Sequence, residues 1–149
     1  MKNDQKEEHD KVTLLIVDDE ETTQLLFDLK FRKHSEYRLL HALNVKDAKQ
    51  QLANESIDIL ITDLKMDGET GWDLLQFVKS QNVYHDIPVM IMTAYGSEAN
   101  ILKAKDAGAV DFFTKTVDFE ELFAALSRSV KEKLTDTRQK VGTFWHTIS

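Results

Sequence analysis

The chain has 149 residues, 42% of them hydrophobic, which suffices for one well-packed domain and is too few for two ordinary ones. Its net charge of -7 argues against the basic face that sequence-independent nucleic-acid binding needs, and the lack of cysteine excludes disulfides, thiolate metal sites and a cysteine nucleophile. Residues 1–10 indicate a flexible polar tail, and the sequence has neither a signal peptide nor an apolar run of membrane-spanning length, so we expect a cytoplasmic protein without a membrane partner.

Short apolar runs alternate with segments of helical periodicity along the chain. The predicted strands are Val12–Val17, Tyr37–Ala42, Ile57–Thr62, Ile87–Thr93 and Ala109–Phe113. The predicted helices are Glu20–Lys33, Val45–Asn54, Gly71–Gln81, Ser97–Asp106 and Asp118–Leu134. This alternation predicts an α/β fold in which a five-stranded parallel sheet is covered by five helices on its two faces.

Helical spacing also predicts which side chains face the core. In the first helix these are Leu25, Leu26, Leu29 and Phe27, and in the fourth they are Ile101, Leu102 and Lys105. In the remaining helices they are Val45, Ala48, Leu52, Leu74, Leu75, Val78, Leu122, Leu126 and Val130.

The composition of each strand indicates its place in the sheet. The first, third and fourth strands are almost continuously apolar, as central strands buried on both faces should be. The second carries Arg38 and His41 and is predicted to be an edge strand, while Pro88 is tolerated at the start of the fourth. These features suit a doubly wound sheet of order 2-1-3-4-5.

Carboxylates follow two of the predicted central strands. Asp18, Asp19 and Glu20 follow the first strand, and Asp63 follows the third. In an open α/β sheet the binding crevice lies at the carboxyl ends of the strands where the strand order reverses, here between the first and third strands. Anions that converge there need a cation, since a buried acid without a partner is destabilising. The sequence therefore predicts a cation site at this edge.

Two further polar residues end the remaining strands on the same edge. Thr93 ends the fourth strand and Lys115 follows the fifth. Together with Asp18, Asp19 and Asp63 they resemble the receiver domain of two-component response regulators, which has the flavodoxin- or CheY-like fold. The resemblance covers residues 11–134, interpreted as the receiver domain, and leaves 135–149 as a helix extension or the stub of a linker. It implies a phosphoryl group received on an aspartate from a sensor histidine kinase or a phosphotransfer protein.

The resemblance also implies the chemistry of the site. Asp63 is the phosphorylated nucleophile, and Asp18, Asp19, Asp63 and the main-chain oxygen of Lys65 hold Mg²⁺, a hard cation that prefers oxygen ligands. Lys115 supplies positive charge to the phosphoryl group. The protein is then no enzyme toward external substrates and catalyses only its own Mg²⁺-dependent phosphorylation and dephosphorylation.

A conformational switch is implied in the same way. Thr93 moves towards the phosphoryl group, and Phe112, at the position of the family's switch aromatic, follows it. The surface that changes is formed by the fourth helix, the fifth strand and the fifth helix. A downstream protein or a fused output domain would read it. Apolar residues at roughly heptad spacing in the last helix also allow a homodimer, namely Val130, Leu134, Val141, Trp145 and Ile148.

Three positions depart from the family's pattern, and one of them is Phe112, which stands where the family often has tyrosine and cannot donate a hydroxyl hydrogen bond. Lys115 is followed by Thr116 where most receivers have a proline after a cis bond, and a cis bond before another residue costs about 3–4 kcal/mol. We therefore expect the Lys115–Thr116 bond to be trans. Asp67 stands where proline is usual, and either tunes the cation site or forms a turn with Gly68.

Three other functions can be weighed against a phosphorylated switch. An aspartate-nucleophile phosphatase usually has a second aspartate two residues after the first, where this chain has Lys65. A flavin or nucleotide module needs a phosphate loop after the first strand, and Asp18, Asp19 and Glu20 would repel a phosphate. A phosphorylation-independent adaptor with the same fold stays open, because Thr116 and Asp67 depart from the pattern.

Overall fold

A computed structural model describes residues 11–142, with side chains described through residue 132. The strands are β1 (Val12–Val17), β2 (Tyr37–Ala42), β3 (Ile59–Thr62), β4 (Val89–Thr93) and β5 (Asp111–Thr114). The helices are α1 (Glu21–Phe31), α2 (Val45–Asn54), α3 (Gly71–Ser80), α4 (Glu98–Asp106) and α5 (Phe119–Gly142). The predicted tail 1–10 lies outside the described residues, and so do Trp145 and Ile148 of the heptad pattern and the side chains of Leu134 and Val141.

The strands form one parallel sheet in the order β2-β1-β3-β4-β5, which confirms the predicted doubly wound topology. Every residue of β3 and β4 is buried, as is all of β1 after Val12, whereas β2 lies at an edge. The strand order reverses between β1 and β3, whose last residues, Val17 and Thr62, are paired. The chain divides into two compact units at Asp118, the first with the sheet and α1–α4 and the second with α5.

Three predicted strands begin later than the apolar runs suggested, for local reasons. The Asp58 N–H donates to the Thr13 carbonyl and its carboxylate accepts from the Thr13 N–H, so regular β3 pairing starts after it. Pro88 lacks an N–H, and β4 begins at the next residue. Gly108, at φ 102, ends α4 in a left-handed turn that delays β5.

The predicted buried faces hold for α2 and α3, whose Val45, Leu52 and Leu74 join one core cluster with β1, β3 and β4. The prediction for α1 was confirmed for Phe27, which is buried, and was wrong for Leu25 and Leu29, which are exposed. The other buried residues of α1 are Gln24 and Phe31. The inward residues of α1 follow the i, i+3, i+7 positions of one stripe. The buried residue at position 24 is polar, so hydrophobicity alone selected the adjacent leucine-rich face.

The same error affects α4. Ile101 and Leu102 are exposed, and Ala104 is the buried residue of this helix. Ala104 belongs to the core cluster that includes Val89 and Ile91 of β4. A small side chain at the contact lets the helix lie close to the sheet, which leaves the larger residues outside.

Helix α3, which follows the loop after Asp63, starts with a capping box. The Thr70 hydroxyl accepts from the Asp73 N–H at 3.3 Å, and the Asp73 carboxylate accepts from the Thr70 N–H at 2.8 Å. We expect Thr70→Ala to lower the free energy of unfolding by about 1 kcal/mol, measured by urea titration. Thr70→Ser keeps the hydroxyl and should lower it much less. Equal stability of Thr70→Ala and the wild type would contradict a role for this cap.

The cap also predicts a pH dependence. Its hydrogen bonds from Thr70 lower the pKa of Asp73 below the ordinary value of 3.8. Because the native pKa is depressed, the ionised carboxylate contributes stability above pH 3.8 and loses that contribution as the pH falls through the native pKa. The difference in stability between the wild type and Thr70→Ala should therefore shrink on acidification.

Candidate functional site

Parallel strands bring the predicted site residues to one edge of the sheet. Asp18 follows β1 and Asp63 follows β3, and the Asp63 N–H donates to the Val17 carbonyl at 2.9 Å, continuing the ladder. Thr93 is the last residue of β4, and Lys115 comes directly after β5. The Lys115 N–H donates to the Thr93 carbonyl at 2.8 Å. Backbone pairing thus fixes the relative positions of these residues.

The Lys115 ammonium lies between three carboxylates. Its Nζ is 2.6 Å from Asp18 Oδ2, 2.7 Å from Asp63 Oδ2 and 3.1 Å from Glu20 Oε1. Asp18 is fully buried and Asp63 is 6% exposed, whereas the Glu20 side chain is 60% exposed. The two buried carboxylates therefore have little access to water and depend on nearby positive charge.

Burial and charge shift the pKa values of this cluster in a consistent way. Burial raises the pKa of Asp18, and the close contact with the Lys115 ammonium offsets that shift only in part. Burial acts to lower the pKa of Lys115, but its contacts with Asp18, Asp63 and Glu20 outweigh burial and hold that pKa above the ordinary value of 10.5. Lys115 is thus a fixed positive charge at neutral pH.

The donor set fits a hard divalent cation. Carboxylate oxygens of Asp18, Glu20 and Asp63 lie within 4.8 Å of one another. In the described part of the chain, Asp18 Oδ2 is a buried side-chain oxygen without a hydrogen bond of acceptable geometry, although the Lys115 ammonium is close to it. A carboxylate oxygen has a second lone pair, so this oxygen can bind a cation besides its contact with Lys115. An all-carboxylate pocket of this size suits Mg²⁺ or Ca²⁺.

The other predicted ligands lie around this cluster. Asp19 Oδ2 accepts from the Asp67 N–H at 3.2 Å, so the carboxylate of Asp19 bridges to the loop after β3. The Lys65 N–H donates to Asp63 Oδ1 at 3.3 Å, and Lys65 Nζ lies 3.4 Å from the hydroxyl of the exposed Tyr95. Asp67 and Gly68, at φ 85, lie in this loop.

Thr93 and Phe112 occupy neighbouring strands. Thr93 is fully buried, and its hydroxyl oxygen accepts from the Tyr95 N–H at 3.2 Å. The helix after β4 is capped by Ser97, whose hydroxyl oxygen accepts from the Asn100 N–H at 3.2 Å. Phe112 is half-buried, packs against the core cluster and lines a groove of ≈ 300 Å³ between α4 and β5.

The expectation of a trans bond after Lys115 was wrong, because the Lys115–Thr116 peptide bond is cis. The backbone before it is held by the bond from the Lys115 N–H to the Thr93 carbonyl. The Lys115 side chain is held in turn by Asp18 and Asp63. The trans expectation rested on the intrinsic preference of the peptide bond alone. The contacts of the Lys115 backbone and side chain with β4, Asp18 and Asp63 are made only in the fold.

Three residues of the site region had no assigned role from sequence. Glu20 joins the carboxylate cluster, and its place in the run Asp18-Asp19-Glu20 was a usable signal. Gln24 is buried beside the Asp18 main chain, where no motif pointed to it. A Cβ added to Gly71 would lie 2.0 Å from the Asp63 carbonyl oxygen, a close approach that only the fold reveals.

In the described part of the chain, every helix is too short or too polar to cross a membrane.

Comparison with known proteins identifies the family. The family model of the response regulator receiver domain matches residues 14–127. The response regulator protein PilR of Pseudomonas aeruginosa is 37% identical over 72% of this chain and 24% of its own length. The transcriptional regulatory protein GlrR of Escherichia coli is 30% identical over 89% of this chain and 29% of its own length. The chain thus spans roughly a quarter of the length of these relatives.

Solved structures agree with this assignment. A putative response regulator of Chloroflexus aurantiacus superposes with a TM-score of 0.76 at 28% identity, covering 81% of this chain and 98% of its own. The chemotaxis protein CheY4 of Vibrio cholerae shares the fold, with a TM-score of 0.74 at 23% identity, covering 80% of this chain and 98% of its own. The chain belongs to the receiver domain family of two-component response regulators.

Proposed function

We propose that this receiver accepts a phosphoryl group on Asp63 from a histidine kinase or a phosphotransfer protein. The observation that carries the proposal is the Asp63 carboxylate, 6% exposed, whose Oδ2 lies 2.7 Å from the fixed positive charge of Lys115 and whose cluster includes Asp18. In the transfer, an Asp63 oxygen forms a bond to phosphorus while the phosphorus–nitrogen bond of the donor phosphohistidine breaks. The electron pair of that bond leaves with the imidazole.

The side chains around Asp63 have distinct parts in this proposal. Asp18, Asp19, Asp63 and the Lys65 carbonyl would hold Mg²⁺, with Glu20 at the border of the site. When bound, Mg²⁺ neutralises charge on the transferring phosphoryl group. The ammonium of Lys115, which contacts an Asp63 oxygen, would pair with a phosphoryl oxygen once Asp63 is phosphorylated.

Catalysis in this proposal is limited to the chain's own phosphorylation and dephosphorylation. A buried nucleophile in a fixed cluster of charges acts by position and electrostatics, as phosphoryl transfer requires. The exposed Ala94, next to Thr93, leaves room for a donor to reach Asp63.

The response to phosphorylation is proposed for Thr93 and Phe112. The Thr93 hydroxyl can donate to a phosphoryl oxygen, and Phe112 lines a groove between α4 and β5 that can change shape with it. We further propose residues 11–134 as the receiver unit, acting in the cytoplasm. Its output is a downstream protein, a fused domain or a homodimer partner rather than nucleic acid bound directly by this chain.

Lys115 gives a direct test of the response. We expect Lys115→Ala to keep some Mg²⁺-dependent labelling by acetyl phosphate but to lose the conformational change. The reason is that the wild-type ammonium would tie the phosphoryl group to β5, and the variant lacks it. The readout is hydrogen–deuterium exchange of peptides that contain Thr93 and Phe112, before and after labelling, with exposed Lys46→Ala as the matched control. The same exchange change in labelled Lys115→Ala and labelled wild type would refute this role.

A further inference from the structure

Gln24 is a buried polar residue of α1 that directly contacts the backbone of the site. It is 7% exposed, and its Nε2 lies 3.0 Å from the Ile16 carbonyl, 3.1 Å from the Asp18 carbonyl and 3.0 Å from the Ala42 carbonyl. Carbonyl oxygens only accept hydrogen bonds, so the orientation of the Gln24 amide is determined by its surroundings. The donor end of the amide therefore binds the ends of β1 and β2.

These contacts fix the main chain of Asp18. Asp18 is the first residue after β1, and its N–H donates to the Ala42 carbonyl at 3.0 Å while its own carbonyl accepts from Gln24. The paired residues of β1 and β2 end at Val17 and Ala42, the bond from the Asp18 N–H extends the ladder by one residue, and the Gln24 amide binds the Asp18 carbonyl beyond it. Both backbone polar groups of Asp18 are thus held, and the carboxylate that faces Lys115 is attached to a fixed Cα.

The acceptor end of Gln24 is held by a second pair of side chains. His41 Nδ1 hydrogen-bonds to Gln24 Oε1, and His41 Nε2 lies 2.8 Å from Asp28 Oδ1. Because Oε1 is an acceptor, His41 Nδ1 carries the hydrogen of that bond. A chain of contacts therefore runs from Asp28 through His41 and Gln24 to the main chain of Asp18.

We propose that Gln24 is a positioning residue for the cation-binding carboxylate of Asp18, and that His41 holds Gln24 in its working orientation. Residues that orient metal ligands through hydrogen bonds tune affinity without touching the metal. The inference rests on the proposed function, since it assigns Asp18 to a Mg²⁺ site. The competing role is structural only, in which Gln24 satisfies buried carbonyls and ties α1 to the sheet.

The test separates positioning from stability on the full chain. Gln24→Leu removes the amide at similar volume, and Leu52→Ala, in the core contact of α2, destabilises the fold away from the site. Both variants should unfold at lower urea concentration than the wild type. We expect Gln24→Leu to raise the Mg²⁺ dissociation constant, measured by isothermal titration calorimetry on the folded protein, about 10-fold or more, and Leu52→Ala to leave it unchanged. Wild-type Mg²⁺ affinity in Gln24→Leu would overturn the proposal.

A double-mutant cycle tests the part assigned to His41. His41→Phe should weaken Mg²⁺ binding less than Gln24→Leu does. The double variant should bind no more weakly than Gln24→Leu alone, because His41 acts through Gln24. Additive losses in the double variant would overturn this second link.

The failure of this inference can be told apart from failure of the proposed function. A wild type that is labelled on Asp63, with Gln24→Leu binding Mg²⁺ equally well, contradicts the positioning role alone. A wild type that binds Mg²⁺ without being labelled contradicts the phosphoacceptor role, and the comparison of dissociation constants still decides the role of Gln24. A wild type that binds no Mg²⁺ overturns both.

Discussion

Replacing Asp63 with asparagine is expected to abolish labelling by acetyl phosphate in the presence of Mg²⁺. An amide oxygen is a far weaker nucleophile than a carboxylate oxygen, and the substitution also removes one charged ligand from the cluster around Lys115. The expected loss is complete within the detection limit of intact-protein mass spectrometry. The fold should persist, because Asp63 lies at the rim of the sheet and its N–H bond to the Val17 carbonyl is kept.

The matched control is Asp67→Asn in the same loop. Asp67 is exposed, and its side chain is not a member of the carboxylate cluster around Lys115. Both variants replace an aspartate with asparagine, so each loses one negative charge, at positions four residues apart. Labelling should survive in Asp67→Asn. Mg²⁺-dependent labelling that survives in Asp63→Asn instead would place the acceptor elsewhere.

Gly71→Ala should have the largest effect on stability of any single methyl group added near the site. The new Cβ would lie 2.0 Å from the Asp63 carbonyl oxygen and 2.9 Å from the Leu64 Cα, both backbone atoms that cannot rotate away. The Gly71 N–H also donates to the Leu64 carbonyl at 2.9 Å, so α3 and the Asp63 loop must separate together. Overpacking of this kind costs about 1–3 kcal/mol or more, which urea unfolding will measure.

Gly68→Ala is the control for Gly71. Gly68 has a positive φ of 85 and open space around its Cα, so alanine there is strained by its backbone conformation alone. That strain costs roughly 1–2 kcal/mol. Both variants should lose stability, but only Gly71→Ala moves the Asp63 backbone and should lose Mg²⁺ affinity as well. Equal Mg²⁺ affinity in the two variants would contradict the positional role of Gly71.

The sheet and the edge where the site lies could be predicted from sequence because their signals are local. Continuous apolar runs identified β1, β3 and β4 as central strands, and the residues directly after them were bound to meet at one edge. Asp18 and Asp63, which follow β1 and β3, were found in this way, and Thr93 and Lys115 were found at the ends of β4 and β5. The strand order fixed which of them would be neighbours.

Contacts between elements distant in sequence were not predictable in the same way. The buried stripe of α1 contains Gln24, whose polar amide is satisfied only by carbonyls at the ends of β1 and β2. Hydrophobicity therefore favoured Leu25 and Leu29, which are exposed. The isomer of the Lys115–Thr116 bond likewise depends on contacts of Lys115 with Asp18, Asp63 and Thr93, which are distant in sequence. Helix α5 runs to Gly142, past the Leu134 where the predicted helix ended, and a helix extension was one of the two alternatives for residues 135–149.

The most direct test of the phosphoacceptor assignment is peptide mass spectrometry of the wild-type chain after incubation with acetyl phosphate. We predict one added phosphoryl group that requires Mg²⁺, is lost when EDTA is present, and maps to the peptide containing Asp63. No added mass under these conditions would favour a receiver-like adaptor that works without phosphorylation. A Mg²⁺-dependent phosphoryl group on any other residue would contradict the assignment of Asp63.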